Sequence, residues 1–333
     1  MCEGALQLPP GYYLEYDSDI LLVVRRIDSS LVAAFSAHDV EPKEIQKTAE
    51  EDAHQRLSLN KGAASSLGAV SDRARLWVRF LGGFEVTCCC GAVLQGSNAK
   101  ALAIFKYLLT HKPSSVSQHY LMGWLWPDVN SDRARWSLNS AVRALREVLD
   151  NCSRLAHNAV ALVCEDGCYH LSSTIEVLTD VDEFDAYYKR GRRLQKEGWT
   201  DEAITEYEKA LERYQGDYLV EDLYEDWTMI ERERLASVYM DILGRLANYY
   251  LEERKQPQES IWACYKLLKK DPCHEEAYRL LMRCYVRLRL RSRALDQYRI
   301  CRHMLGSVHG MEPSLELQAV CDSVKRTAIS DED

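Results

Sequence analysis

The first part of the chain alternates short apolar runs with polar breaks. The apolar runs cover residues 12–14, 20–24 and 31–35. Apolar runs bounded by Asp and Ser are typical of β-strands, so residues 1–57 are predicted to form a small strand-rich segment with at least two hairpin-linked strands. Its last part, residues 41–57, is charged and compatible with a helix. Residues 58–72 are small and polar, which indicates a flexible linker.

The pattern then changes to a hairpin, three helices and a second hairpin. The first hairpin is predicted around Gly82-Gly83, where two apolar strands meet. Apolar residues at helical spacing then predict three helices, over residues 98–111, 117–126 and 131–150. Two strands at 160–163 and 169–172 flank the turn residues Glu165-Asp166-Gly167. This order predicts a winged helix-turn-helix domain over residues 73–172.

Residues 180–326 are predicted to be helical nearly throughout, followed by a frayed tail at 327–333. One internal repeat is visible, because Ser260-Ile261 with Cys264 recurs 34 residues later as Ala294-Leu295 with Tyr298. That period is typical of tetratricopeptide (TPR) helix pairs, which bury their faces only by stacking. Tyrosines spread along this half, Tyr218 among them, are predicted to fill the repeat core. Stacked pairs also form a concave groove suited to a partner peptide.

Composition and charge narrow the class of protein. The chain has 333 residues, 47% of them hydrophobic, which suits a globular protein of two or three domains. No apolar run approaches the roughly 18 residues of a membrane span, and the first residues lack the pattern of a signal peptide. Twelve cysteines are too few for a disulfide scaffold. We therefore expect a cytoplasmic protein with reduced thiols that does not bind membranes.

The net charge of −9 hides a basic segment between two acidic ones. Residues 1–72 carry a net charge of −6, residues 73–172 carry +4, and residues 173–333 carry −7. Such asymmetry is a common sign of a nucleic-acid-binding module joined to another domain.

The helix predicted over residues 131–150 carries the candidate chemistry. One stripe is apolar and comprises Ala134, Leu138, Ala141, Val142, Leu145, Val148 and Leu149. The candidate DNA-binding residues lie around the rest of the helix: Arg133, Arg135, Trp136, Asn139, Ser140, Arg143 and Arg146. Arg can bridge O6 and N7 of guanine, and Asn can pair with N6 and N7 of adenine. An Arg-rich face alone is typical of a solvated helix, and Trp136 has two open interpretations, stacking on the DNA backbone or packing on the strands.

The sequence gives little indication of a metal site, a disulfide or a catalytic site. Adjacent residues of a strand point to opposite faces, so Cys88-Cys89-Cys90 cannot converge on one metal ion. Cys164 and Cys168 flank the predicted turn, where two thiols could come close enough to oxidise, but a disulfide there is improbable in a reducing compartment. No zinc-ligand spacing, hydrolase motif or phosphate-binding glycine loop occurs. We therefore expect no metal, no cofactor and no enzymatic activity.

Several motifs together resemble one protein family. They include the WVRFLGGFEV strand pair, the Ser-Leu-Leu-Trp-Pro pattern from Ser117 to Pro127, and the Gly-Cys-Tyr-His-Leu stretch at 167–171. The second half adds YQGDYL at 214–219, Asp271-Pro272, and Gly-Met-Glu-Pro-Ser at 310–314. In this order they resemble the Streptomyces antibiotic regulatory protein (SARP) family and related proteins with a bacterial transcriptional activator domain (BTAD). The resemblance covers about residues 75–325.

The resemblance implies a mainly α bacterial protein: an OmpR-type winged helix followed by an all-α TPR-like domain, with a small strand-containing N-terminal segment outside it. It implies a transcription regulator, most often an activator, that binds double-stranded promoter DNA, forms a homo-oligomer on DNA and helps recruit RNA polymerase. Asn139, Ser140, Arg143 and Arg146 would then face the groove. The extra Cys168 and the acidic wing tip depart from the family pattern. The alternative is a TPR-like adaptor whose winged helix binds protein.

Overall fold

A computed structural model describes most of the chain beyond the predicted linker. Backbone is described for the strands at residues 12–17, 20–25 and 31–36, and the chain is described at 75–91, 93–94, 98–150 and 161–329. The chain divides into two compact units. The winged-helix unit comprises Leu67–Glu183 with Tyr218–Asp222, and the helical unit comprises Met1–Ser66, Phe184–Asp217 and Leu223–Asp333.

The N-terminal strands form a three-stranded antiparallel sheet. They are β1 (Tyr12–Asp17), β2 (Ile20–Arg25) and β3 (Leu31–Ser36), in the order β1-β2-β3. The predicted hairpin-linked strands are therefore confirmed. The helix predicted over 41–57 and the linker predicted over 58–72 lie outside the described residues.

The winged-helix unit has the element order that the sequence predicts. Its elements are β4 (Arg75–Arg79), β5 (Glu85–Cys88), α1 (Ala99–Thr110), β6 (Val116–Ser117), α2 (Gln118–Leu125), α3 (Ser131–Asp150), β7 (Leu162–Glu165), β8 (Cys168–Leu171) and β9 (Glu176–Thr179). Asn98 caps α1 and Ser117 caps α2, because each side chain accepts backbone N–H groups of the first turn. Strands, three helices and a hairpin form a winged helix, as expected.

Two small sheets frame these helices. One has the order β5-β4-β9, and the other has the order β6-β8-β7. The hairpin β4–β5 is antiparallel, with Arg79 opposite Glu85, and confirms the turn predicted at the glycine pair. Strand β9 was not predicted. It lies parallel to β4, with Leu76 opposite Val177, and joins residues about 100 positions apart in the sequence.

A short return segment, Tyr218–Asp222, also belongs to the winged-helix unit. The backbone N–H of Leu219 donates to the carbonyl of Phe80 at 2.9 Å, and Glu221 accepts from the N–H of Phe84 at 3.0 Å. Leu219 is fully buried and has a φ of 46°, a left-handed conformation that is costly for a branched side chain. Burial and hydrogen bonding thus hold a strained residue in place.

Tyr218 is the one tyrosine of the predicted repeat core that lies in the other unit. Its ring packs against Phe80 with centroids 5.4 Å apart, and its backbone bridges Leu81. The expectation that Tyr218 fills the repeat core is therefore wrong. Sequence spacing could not reveal this, because the contact joins residues far apart in the chain.

The helical unit consists of a series of packed helices. They are α4 (Asp180–Lys196), whose first turn lies in the winged-helix unit, then α5 (Thr200–Arg213), α6 (Asp226–Glu252), α7 (Pro257–Lys270), α8 (Glu275–Arg287), α9 (Arg291–His309) and α10 (Leu315–Ile329). Consecutive helices from α6 to α10 pack on each other. The equivalent repeat positions Ser260 and Ala294 lie in α7 and α9 and are both buried. The predicted helical repeat is confirmed.

Gly191 permits the close packing of α4 on α5. A Cβ atom at this position would lie 2.5 Å from the ring of Tyr207, which is fully buried. We expect Gly191→Ala to destabilise the protein by about 1–3 kcal/mol, because overpacking outweighs the gain in helix propensity. Gly244, in the interior of α6, is the matched control, since a Cβ there meets nothing within 4 Å. Urea unfolding should show Gly244→Ala as neutral or stabilising; equal effects of both changes would contradict this packing.

Candidate nucleic-acid interface

Helix α3 begins at a cap and is amphipathic along its whole length. The Asn130 side chain accepts the N–H of Arg133 at 3.0 Å, which satisfies one of the free donors at the helix start. Of the predicted apolar stripe, six residues are buried and Val148 is half-buried. The stripe packs on α1 and α2, so the opposite side of α3 faces solvent.

The candidate residues on α3 are all exposed. They are Arg133, Arg135, Trp136, Asn139, Ser140, Arg143 and Arg146. The Trp136 side chain is 75% exposed, so the interpretation that it packs on the strands is wrong. A large indole held in solvent on an arginine-bearing helix leaves a flat surface available to a partner.

Arg143 lies at the centre of this exposed face. Its Nε lies 3.2 Å from Oε1 of Glu147, one turn further along, and both side chains are largely exposed. An exposed pair of this type contributes only about 0.3–0.5 kcal/mol. The guanidinium can therefore leave Glu147 for a stronger acceptor at little cost.

Arg146 differs from the other candidates. Its guanidinium donates to the carbonyl of Leu162 in β7 at 3.3 Å, which ties α3 to the wing. Burial raises the pKa of the neighbouring Tyr169, and the charge of Arg146 opposes that rise. Part of its hydrogen-bonding capacity is thus used within the fold, which sequence spacing alone did not indicate.

The wing is a tight hairpin with an acidic tip. Strands β7 and β8 are joined by Asp166-Gly167, with φ values of 48° and 73°, as a two-residue turn with both residues left-handed requires. The predicted strand ends were wrong by one to two residues, because Glu165 pairs with Cys168 inside the ladder. The N–H of Gln118 donates to the carbonyl of Gly167 at 2.9 Å and holds the turn against α2.

The cysteines of the wing point away from each other. Cys164 lies opposite Tyr169 and Cys168 lies opposite Glu165, so the two thiols lie on opposite faces of the hairpin. Both are free thiols, as expected for a pair that is improbable as a disulfide. Cys88, in β5, is disulfide-bonded, so the expectation of reduced thiols fails for this residue.

An aromatic cluster joins α1 to α2. Tyr107 stacks on His111 with centroids 3.9 Å apart and contacts Tyr120 and Trp124 at 5.3 and 5.2 Å. Burial raises the pKa of Tyr107, and its hydrogen bond with Tyr120 adds to the rise, so its hydroxyl stays neutral. The cluster packs α2 against α1.

Among the described residues, neither a cluster of candidate metal ligands nor a candidate membrane-spanning helix is found. No group of three His, Cys, Asp or Glu side chains there is arranged to hold a metal ion. Cys89 is half-buried and Cys90 is exposed, each in a different environment from the buried Cys88. None of the described helices is long and apolar enough to cross a membrane.

Comparisons with known proteins agree with the sequence motifs. Residues 179–325 match the family described as bacterial transcriptional activator domain. The transcriptional regulatory proteins MoaR1 of Mycobacterium bovis and Mycobacterium tuberculosis are each 23% identical over 247 residues, which cover 71% of this chain and 75% of the relative.

A solved structure shares the fold. Mycobacterium tuberculosis EmbR, determined in complex with a low affinity phosphopeptide, superposes with a TM-score of 0.61 at 22% sequence identity. The match covers 76% of this chain, and the chain spans 66% of the length of that EmbR chain. The chain is therefore similar to SARP/BTAD proteins in its motifs, in its matched activator domain at residues 179–325 and in its fold.

Proposed function

We propose that this protein is a sequence-specific DNA-binding regulator of transcription that inserts α3 into the major groove. The observation that carries the proposal is the exposed face of α3, where Trp136, Asn139 and Arg143 face solvent opposite the largely buried apolar stripe. An α-helix with its side chains is about 10–12 Å wide, and the major groove is about 12 Å wide, so such a helix fits.

The side chains on α3 divide into two roles. Asn139 and Arg143 have the donor and acceptor geometry to read adenine and guanine edges, and Ser140 can pair with either. Arg133 and Arg135 near the first turn contact phosphates and fix the register without reading sequence. Trp136 stacks on the DNA backbone. Arg146 holds the wing and adds charge close to the groove.

The proposed role of the helical unit is to bind another protein at the promoter. We propose that it binds RNA polymerase or a second copy of the protein on promoter DNA, and that the outcome is activation. The matched activator domain and the regulatory relatives support this. We further propose a cytoplasmic protein that acts without catalysis.

The alternative is an adaptor whose winged helix binds protein. The acidic wing tip, Glu165-Asp166, favours it, because two carboxylates repel the phosphates that a DNA-binding wing approaches. Under this alternative the exposed Trp136 and arginines would contact an acidic protein surface.

The salt dependence of DNA binding separates the two functions. For a DNA-binding protein, the logarithm of affinity falls linearly with the logarithm of salt concentration, with a slope of about −0.9 for each phosphate contacted. We expect a clear negative slope of several units when the purified full chain is titrated with duplex DNA in fluorescence anisotropy. Absence of binding at 50 mM salt, with the protein folded, would favour the adaptor.

A further inference from the structure

The start of α6 carries large apolar side chains that the fold leaves in solvent. Leu223 is 52% exposed, Tyr224 is 97% exposed, Met229 is 47% exposed and Ile230 is 82% exposed. All four residues belong to the helical unit. Single exposed apolar residues are common on protein surfaces, but a group of them within one short segment is typical of a surface that contacts a partner.

Two of these apolar residues lie between two carboxylates on one face of the helix. Residues spaced i, i+3, i+4 and i+7 are neighbours on a helix surface. The exposed residues with this spacing are Asp226, Met229, Ile230 and Glu233. Thr228 and Leu235 lie on the opposite side of α6 and are fully buried. We name the four spaced residues, together with Leu223 and Tyr224, the α6 exposed face.

Helix stability does not account for this face. An exposed Ile230 buries little apolar area in the helical unit, and a β-branched residue is a weaker helix former than most alternatives. The helix dipole favours acidic residues only in the first turn, which covers Asp226 but not Glu233. Neither carboxylate forms an ion pair or hydrogen bond with another residue that the structure describes. An apolar centre with a charged rim is instead the usual composition of a protein interface.

The charge of the segment indicates which kind of partner fits it. Residues 223–233 contain four acidic side chains and one basic side chain, which gives a net charge of −3. Like charges that face each other across an interface are unfavourable, so the same face of a second copy is a poor match, as are DNA and an anionic lipid surface. A basic protein surface with an apolar centre is complementary in charge and in hydrophobicity.

We propose that the α6 exposed face binds an amphipathic helix of a partner protein, whose apolar stripe is flanked by Lys or Arg. This inference rests on the part of the proposed function in which the helical unit binds another protein. Met229 and Ile230 pack against the apolar stripe, as side chains of two packed helices do. The two carboxylates pair with the flanking cations. Tyr224 anchors the edge of the contact, because its large ring is ordered at a low cost in side-chain entropy.

The apolar part of the contact is tested with a synthetic peptide and the full chain. The probe is a fluorescein-labelled peptide of about 18 residues, or five helical turns, with leucines on one face and lysines on the other. Its binding is followed by fluorescence anisotropy. Y224A/I230A should weaken binding at least about 10-fold, because anchors at the centre of an interface carry most of its affinity. The control I300A/V308A truncates two exposed apolar residues of α9 and should bind as the wild type does.

The charged rim is tested with a second pair of variants that have the same change in charge. D226N/E233Q should weaken peptide binding about 2- to 5-fold at 50 mM KCl and by a smaller factor at 200 mM KCl, because salt screens exposed charge pairs. The control D296N/D322N removes two carboxylates that already pair with Arg299 and Lys325, and it should retain the wild-type affinity. Circular dichroism checks that each variant is folded.

Equal peptide binding by the wild type and Y224A/I230A, or no binding by the wild type, would overturn the inference. A wild-type dimer that Y224A/I230A dissociates in sedimentation would also overturn it, because the face would then belong to a second copy. DNA binding is measured separately with the duplex titration and should be the same in all four variants. If the wild-type chain binds no duplex, the proposed DNA recognition fails, whatever the result with the peptide.

Discussion

Replacing Asp222 by alanine should destabilise the winged-helix unit by about 3 kcal/mol. This is the largest loss of stability that we expect from breaking a single ion pair. Asp222 ends the return segment and pairs with Lys106 in α1. Lys106 is only 4% exposed, and its ammonium group lies 5.0 Å from the ring of Phe84. Loss of the carboxylate leaves a buried charge without its counter-ion, which typically costs about 3–5 kcal/mol.

Hydrogen exchange of the α1 amides is the appropriate measurement, because it reports the opening of this unit separately from the helical unit. The double variant K106M/D222L is the control. It removes both charges and should recover most of the lost stability, since an apolar pair replaces a buried ion pair at little cost. An Asp222→Ala protein with wild-type exchange in α1 would contradict the account of the return segment.

Replacing Arg143 by alanine should weaken binding to the preferred DNA site by about 1–3 kcal/mol, or about 5- to 150-fold. The loss should be confined to the preferred sequence, because a base-reading arginine contributes little to non-specific binding. Asn139→Ala should produce a similar loss at a different base position. Anisotropy titrations with the preferred duplex and with single-base variants of it measure both effects.

Glu147→Ala is the matched control for Arg143→Ala. It removes the carboxylate that pairs with Arg143 and one negative charge from the exposed face, so DNA binding should stay the same or improve. If Arg143→Ala and wild type bind the preferred duplex equally, the assignment of α3 to the groove is incorrect, whatever the role of the wing.

Local sequence was enough to predict the helices and the recognition surface. The spacing of apolar residues gave the bounds of α3 at Ser131 and Asp150, and it separated the buried stripe from the exposed residues. These features depend on contacts three or four residues apart, which periodicity reports directly. The family motifs then placed the helix in a winged-helix context.

Contacts between distant residues were not predictable in the same way. Strand β9 pairs with β4 across about 100 residues, and the return segment reaches the winged-helix unit from beyond α5. The left-handed Leu219 in that segment has no sequence signal, because the residue type gives no reason to expect positive φ. The bond from Arg146 to the wing likewise depends on tertiary placement.

The most direct test of the central claim is capture of genomic DNA by the purified protein. Sheared fragments of the genome that encodes the protein are incubated with the full chain or with N139A/R143A, and the bound fragments are sequenced. Arg146 is left unchanged, since its bond to β7 would mix a folding effect with a binding effect. We predict that the wild-type chain enriches fragments sharing a common sequence and that the double variant loses this enrichment. Equal enrichment by both proteins, or none by either at low salt, would contradict DNA recognition through α3.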